Sequence, residues 1–328
     1  MRPVTLNLGL GLILAGLLII GLVLGETALS VAALAEAFRH PGSAPGEILW
    51  VIRAPRSVAA AVVGAALGLA GAVMQGLLRN PLADPGVLVV SAGAGLGAAL
   101  AITLGLAAIP GGTEMAALVA ALSTGLLLTG LAARFGEPET LILFGVALSA
   151  FAGALTSLIF NLSPSPVTTT EILSWLMGSV ANRGWRDIGV ELAPMALGVG
   201  LCVYAARGLV MLTLGEETAA LSGLPMGRLR AAAVAGASIL TGASVAMAGI
   251  IGFVGLAAPH LVRSAAGGDP SKTLMPSALA GGCLLVAADV IARLIPTDQE
   301  LKLGVVTALF GAPLFALIAW RAARSWRG

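Results

Sequence analysis

The sequence has little of what a soluble domain keeps at its surface. Only 10% of its 328 residues are charged and 4% are aromatic, while 58% are hydrophobic and the mean hydropathy is +1.00. No soluble fold of this length could bury so much apolar surface in its own core, so a globular soluble protein is excluded and the solvent must be lipid. Cysteine is nearly absent. Cys202 and Cys283 each stand inside an apolar run, which argues against a disulfide framework or a metal site and for two small core residues. Intramembrane acids and histidines are too few to form a proton relay. No nucleophile with a base, and no His-carboxylate cluster, points to an intramembrane enzyme. A nucleotide site is missing too: Gly93-Ala94-Gly95 follows no strand, and Lys272 in GGDPSKT has Ser271 where a phosphate loop needs glycine. The chain reads as non-catalytic, with no cofactor or metal of its own, and nucleic acid is not an expected partner.

Glycine, by contrast, numbers 44, which points to helices packed closely through small residues. A bilayer core needs roughly 20 apolar residues per helix. Runs of that order lie near 6–28, 57–78, 87–109, 115–135, 140–160, 190–212, 231–250, 274–295 and 303–320, with a shorter one at 252–266. The first has no small-residue cleavage site after it and reads as a retained span. Counting the short run gives about ten spans and puts both termini on one side. Arg321, Arg324 and Arg327 near the C-terminus, with Arg228 and Arg230, place that side in the cytoplasm under the positive-inside rule. The expected fold class is therefore all-α, a polytopic membrane protein forming one transmembrane domain over 1–328.

Two stretches align at one fixed offset: Ala59 with Ala237, Gly64 with Gly242, Ala65 with Ala243, Ala70 with Ala248, Gly71 with Gly249 and Pro81 with Pro259. Leu143-Phe144-Gly145 recurs as Leu309-Phe310-Gly311. Five spans separate the members of each pair, and five is odd, so two halves of about 54–160 and 228–322 are expected in opposite orientation. That is an inverted internal repeat, with a pathway between the halves.

Several short motifs interrupt the apolar runs. RNPLADPG, 79–86, ends the second span at two Pro breaks and hangs Asn80 and Leu82 at a pathway mouth. Ser91 opens a run of small residues that leaves width for a bulky solute. Gly311-Ala312-Pro313 breaks a span where Pro313 frees a backbone carbonyl, as cavity-lining helices do. Asp289 and Arg293 stand four apart on one helix face and can pair. Arg53, Arg56, Arg183, Arg186 and Arg293 fall on the non-cytoplasmic side, where they either anchor at the interface or meet an acidic partner. His260 and His40 are lone histidines and more often structural than ligating. The segment 214–227, LGEETAALSGLPMG, is short, polar and small, with Glu216 and Glu217 available to basic groups. A transporter with neither an ion relay nor an ATP site must borrow energy from a soluble motor, and this segment is the place to dock one. An ion-gradient-driven secondary carrier is the alternative.

RAPR at 53–56, RNPLADPG at 79–86, GIIGFVGLAAPHLVR at 249–263, ADVIAR at 288–293 and LGVVTALFGAPLF at 303–315 together resemble the FecCD-type permeases. These are the membrane subunits of type II ABC importers for ferric siderophores, haem and cobalamin. The resemblance implies a multi-pass protein of the bacterial inner membrane working as a homodimer or close pair. The pair would bind a cytoplasmic ABC ATPase dimer, which holds the ATP and Mg, and a periplasmic or lipid-anchored solute-binding protein. By the same likeness the segment Gly215 to Pro225, including Glu216, Glu217, Leu221 and Gly223, corresponds to the coupling helices. Arg53, Arg56 and Arg293 match the positions that meet the binding protein. Asn80 and Leu82, with the loop Glu137 to Thr140 that includes Glu139, match the inner gate. Gly145, Gly311 and Pro313 fall on channel-lining helices. Glu137-Pro138-Glu139 departs from the small hydroxylated residues of a cobalamin permease, and Leu301-Lys302-Leu303-Gly304 from the family's Leu-Pro-x-Gly. Iron-siderophore is the first cargo expected, then haem or cobalamin.

Overall fold

The structure, a computed structural model, describes residues 3–25, 27, 29–83, 89–135, 138–163, 165–221, 223–295 and 300–325. Most of the described residues are helical, with no strand among them. In chain order the helices are α1 Pro3–Val23, α2 Val31–Arg39, α3 Ala44–Glu47, a π-helical turn Ile48–Arg53, α4 Ala54–Leu77, α5 Ser91–Thr103, a 3-10 turn Leu106–Ala108, α6 Gly112–Arg134 and α7 Pro138–Leu162. They continue with α8 Pro166–Leu176, α9 Trp185–Leu212, α10 Glu216–Leu221, α11 Met226–Ala248, α12 Val254–Arg263, α13 Pro270–Leu294 and α14 Leu303–Ser325. Each apolar run of the sequence lies on one of them. Helices α2, α3 and α8 are additions that the run lengths did not announce.

Among the described residues seven helical stretches are long and apolar enough to cross a membrane, while α5 and the stretch Leu303–Leu314 of α14 are shorter apolar ones. The run at 252–266 is the tenth pass in a broken form. After α11 the chain turns at Gly249 (φ 70°), and Phe253, a non-glycine residue at φ 67°, starts the ten-residue α12. Helix starts follow local chemistry. Ser165 caps α8, its Oγ accepting from Thr168 N at 3.2 Å, and Pro166 follows at the first helical position. Asp269 caps α13 ahead of Pro270 in the same way, and Lys272 pairs with it at 3.1 Å. Burial works against the charge of Asp269, yet hydrogen bonds from Ser271 and Lys272 hold its carboxyl below the ordinary aspartate range.

Helices α4 and α11 form the centre and α1 and α7 the rim: 78% and 83% of their spanning windows are buried for the first two, but 6% and 11% for the others. Small residues make the central packing possible. Arg56 meets Asp289, Gly64 meets Gly281 and Gly68 meets Ser277 in one antiparallel register of α4 on α13. Gly71 meets the Gly255 carbonyl of α12. A Cβ at Gly64, Gly68 or Gly71 would overlap a backbone carbonyl oxygen, so these helices touch main chain to main chain. Helix α11 crosses α9 through Gly198, Gly236 and Cys202, and crosses α6 through Gly125 and Gly242 against Ser238 and Ala121.

These registers set directions. Gly76 near the end of α4 packs on Leu209 near the end of α9, so α4 and α9 run parallel while α11 runs against both. Helix α14 starts beside the end of α11, with Leu303 N and Gly304 N donating to the carbonyls of Gly178 and Met177 at 3.0 and 3.1 Å. It therefore runs against α11, and against α7. The bundle has two ends: one carries Arg53, Arg56 and Arg293, the other carries α10.

Candidate functional site

At the arginine end the π-helical turn delivers Arg53 to the end of α1, where its guanidinium donates to the carbonyls of Leu22 (3.0 Å), Val23 (2.7 Å) and Thr27. Those of Leu22 and Val23 are carbonyls that a helix end leaves without partners, and a cation suits the negative end of the helix dipole. Arg293 pairs with Asp289 and donates to Gly21 O at 2.8 Å and Ser57 Oγ at 3.2 Å. Arg56 Nε donates to Asp289 Oδ1 at 2.9 Å, and its Nη2 stands 2.9 Å from the same oxygen and 2.7 Å from Glu300 Oε1. Asp289 is completely buried. Two guanidiniums thus share two carboxylates while Arg53 clasps the end of α1, a knot that ties α1, α4 and α13 together.

The sequence brought Arg53, Arg56 and Arg293 forward as a docking set, and the structure gathers them at one place. It turns them inward, however: Arg53 and Arg293 are buried, and Arg56 keeps only a small exposed edge. Arg53 and Arg293 donate to the chain's own carbonyls, carboxylate and hydroxyl, and Arg56 pairs with two of its carboxylates. Glu300, Ser57 and Ser179 were not legible as partners, since none sits in a motif with these arginines. Of the other two arginines of this group, Arg183 pairs with Glu114 at 2.8 Å and Arg186 is exposed. Beside that pair opens a cavity of about 900 Å³, lined by Glu171, Trp175, Ser179, Asn182, Glu300 and Lys302 among others.

At the other end, α10 stands between two glycines in left-handed geometry, Gly215 (φ 101°) and Gly223 (φ 75°), and Pro225 leads into α11. Leu221 is 88% exposed and Ala219 is buried against the bundle. The side chains of Glu216 and Glu217 lie outside the described residues. Asn80 forms a tight turn, its Oδ1 accepting from Leu82 N at 2.9 Å, and Leu82 is exposed. Asp84, Pro85, Gly86 and Glu137 lie outside the described residues, while Glu139 and Thr140 are in the first turn of α7, with Glu139 exposed. Ser91 is the first residue of α5 and half-buried. Buried Gln75 donates to Leu256 O and accepts from Arg263, both at 3.2 Å, tying α4 to α12.

The three channel positions separate. Gly145 is buried on α7. Gly311 faces the protein, where a Cβ would overlap the Phe253 side chain. Pro313 alone is exposed, on an apolar groove of about 640 Å³ shared with Met177, Ile250, Phe253 and Ala308. Around it, α7 and α14 leave large side chains such as Phe151, Leu309 and Phe310 without protein neighbours to cover them.

Comparison with known proteins decides the class. The model of the FecCD transport family matches residues 12–321. The chain belongs to the FecCD transport family. It is 40% identical to the ABC transporter permease protein YvrB of Bacillus subtilis, over 96% of this chain and 93% of the relative. It is 41% identical to the vitamin B12 import system permease protein BtuC of Salmonella typhimurium, over 92% of this chain and 94% of that one. A solved inward-facing structure described as a metal-chelate type ABC transporter matches with a TM-score of 0.85 and 31% identity, covering 97% of this chain and 99% of the other. This FecCD chain is accordingly a multi-pass ABC transporter permease, built of helices with no strand among its described residues.

Proposed function

We propose that this FecCD permease is the pathway-forming subunit of a binding-protein-dependent importer that moves a bulky metal chelate by ATP-driven alternating access. Two copies would face each other through the uncovered apolar sides of α7 and α14. An ABC ATPase dimer would grip α10 on the cytoplasmic side, and a periplasmic or lipid-anchored solute-binding protein would dock at the arginine end. ATP and Mg would reside in the ATPase. Both termini would then be cytoplasmic, in a bacterial inner membrane.

One observation carries the reading: in a chain matched over nearly its whole length by ABC permeases, α10 lies between two glycine joints, at the end opposite the arginine knot. A rigid segment on two flexible joints can be pushed as a unit and hands its motion to α9 and α11. Opposite directions of α4 and α11, and of α7 and α14, support the inverted-repeat expectation. Small residues and an apolar groove at Pro313 suit a wide, weakly binding route, which leaves selectivity to the binding protein. Iron-siderophore stays the first cargo proposed, with haem and cobalamin beside it. The B12 permease relatives add weight to the last of these.

Glu216→Lys with Glu217→Lys is expected to lower ATP-driven uptake at least ~10-fold, by replacing attraction to a basic motor surface with repulsion. The measurement is uptake and ATPase copurification side by side. Wild-type values for both would remove α10 from the coupling role.

A further inference from the structure

The arginine knot holds one carboxylate that differs from the other. We propose that Glu300 is an exchangeable internal ligand of Arg56: it occupies the guanidinium while the arginine end is free, and an acidic group of the incoming solute-binding protein displaces it, releasing the start of α14. The inference rests on the docking reading of the arginine end given above and adds a regulatory residue to it.

Charge balance comes first. Among the described residues Asp289 and Glu300 match Arg56 and Arg293, while Arg53 meets only carbonyls, so the knot carries one positive charge in excess there and can accept a further carboxylate without like-charge repulsion winning. Accessibility then selects the group that can leave. Side-chain exposure is 0% at Asp289, 5% at Arg293, 12% at Arg56 and 25% at Glu300, so Glu300 is the carboxylate that water and a partner can reach.

Geometry points the same way. The Nε of Arg56 is fixed on Asp289 by an aligned hydrogen bond, which keeps the guanidinium in place during an exchange. Its Nη2 is buried with no aligned hydrogen-bond acceptor, although Asp289 and Glu300 both lie within ion-pair distance. A partner carboxylate arriving along an N–H direction would satisfy a donor that Glu300 only neutralises.

The release has somewhere to act. The other oxygen of Glu300 accepts from Ser179 Oγ at 3.3 Å, and Ser179 N donates to Ala248 O at 2.8 Å at the end of α11. Leu303 and Gly304, the first residues of α14, are bound to Gly178 and Met177. Glu300 therefore joins α4, through Arg56, to the strap that holds the start of α14 against the α8–α9 connection. Ser179 and Glu300 also line the large cavity at this end. Loss of the Arg56–Glu300 pair lets that strap and α14 move without disturbing the buried Asp289 pairs.

The test titrates nanodisc complexes of the permease with its ATPase against the cognate solute-binding protein, defined as the one that stimulates hydrolysis by the wild-type complex. Docking affinity and stimulation of hydrolysis are both read. Glu300→Gln removes the competitor and should dock ~5-fold tighter while losing most of the stimulation. Arg56→Gln should dock at least ~10-fold more weakly. Ser179→Ala leaves the Arg56 pair intact and cuts the link to the strap, so it should keep affinity and lose stimulation. If Arg56→Gln weakens docking but Glu300→Gln binds no tighter, the exchange is wrong and the docking site stands. If Arg56→Gln docks like wild type, the docking reading itself falls. Should Glu300→Gln fail to assemble, Ser179→Ala decides, and unchanged stimulation there overturns the proposal.

Discussion

Replacing Asp289 with alanine should destabilise this permease more than any other single loss of a polar group among its described residues. The carboxylate is fully buried and shared by Arg56 and Arg293, so its removal strands positive charge among α1, α4 and α13. Breaking a buried pair from one side typically costs ~3–5 kcal/mol, because the remaining charge keeps its desolvation penalty and loses its compensation. Arg56 can fall back on Glu300, but Arg293 would retain only Gly21 O and Ser57 Oγ. The expected readout is a thermal midpoint lower by about 10 °C in nanodiscs. Asp289→Leu with Arg293→Leu removes both charges and should lose less than Asp289→Ala alone. A double variant as unstable as the single one would show that packing, not stranded charge, sets the cost.

Gly71→Leu should prevent a stable fold altogether. Here the obstacle is a backbone carbonyl, that of Gly255, and no rotamer change can relieve it. The side chain would force α12 away from α4, breaking the Gln75 bonds to Leu256 and Arg263 below it, and the summed cost exceeds ~3 kcal/mol. Gly130 on α6 serves as the control, since nothing lies within 4 Å of a Cβ built there. Gly130→Ala should be neutral or stabilising by up to ~1 kcal/mol. Size-exclusion profiles and yields of the two variants separate the cases, and a monodisperse Gly71→Leu protein at wild-type yield would disprove the main-chain contact.

Helix existence was readable because lipid demands long apolar runs, and each such run became a helix. The glycine count announced close packing, and Gly64, Gly68 and Gly71 carry it, yet their partners Gly281, Ser277 and Gly255 follow no motif. Fixed offsets gave a partial guide. Leu143-Phe144-Gly145 and Leu309-Phe310-Gly311 both fall in the second turns of their helices, α7 and α14. Gly71 and Gly249 do not correspond locally: one is mid-helix in α4, the other ends α11 at positive φ. A continuous α4 thus lies opposite a pair of elements, α11 and α12, broken at Gly249–Phe253.

Site residues were readable as types and less so as environments. Arg53, Arg56 and Arg293 were read as one set and lie at one end of the bundle, but position in a sequence does not say which way a guanidinium turns. Inward is favoured here because α1 ends in unpaired carbonyls beside Arg53 and because Asp289 sits one turn from Arg293. Glu300 escaped notice as a single acid outside any motif. Gly311 looked like a pathway residue and packs on Phe253, since a glycine can mark close packing as readily as an open wall.

The account turns on a membrane subunit that cannot move cargo unaided. Proteoliposomes containing the chain would be loaded with and without its ATPase, and uptake of a ferric hydroxamate, haem and cyanocobalamin measured under ATP or under an imposed proton or sodium gradient. Uptake of one of these, requiring ATP, the ATPase and the solute-binding protein together, is predicted. Gradient-driven uptake by the permease alone would contradict it.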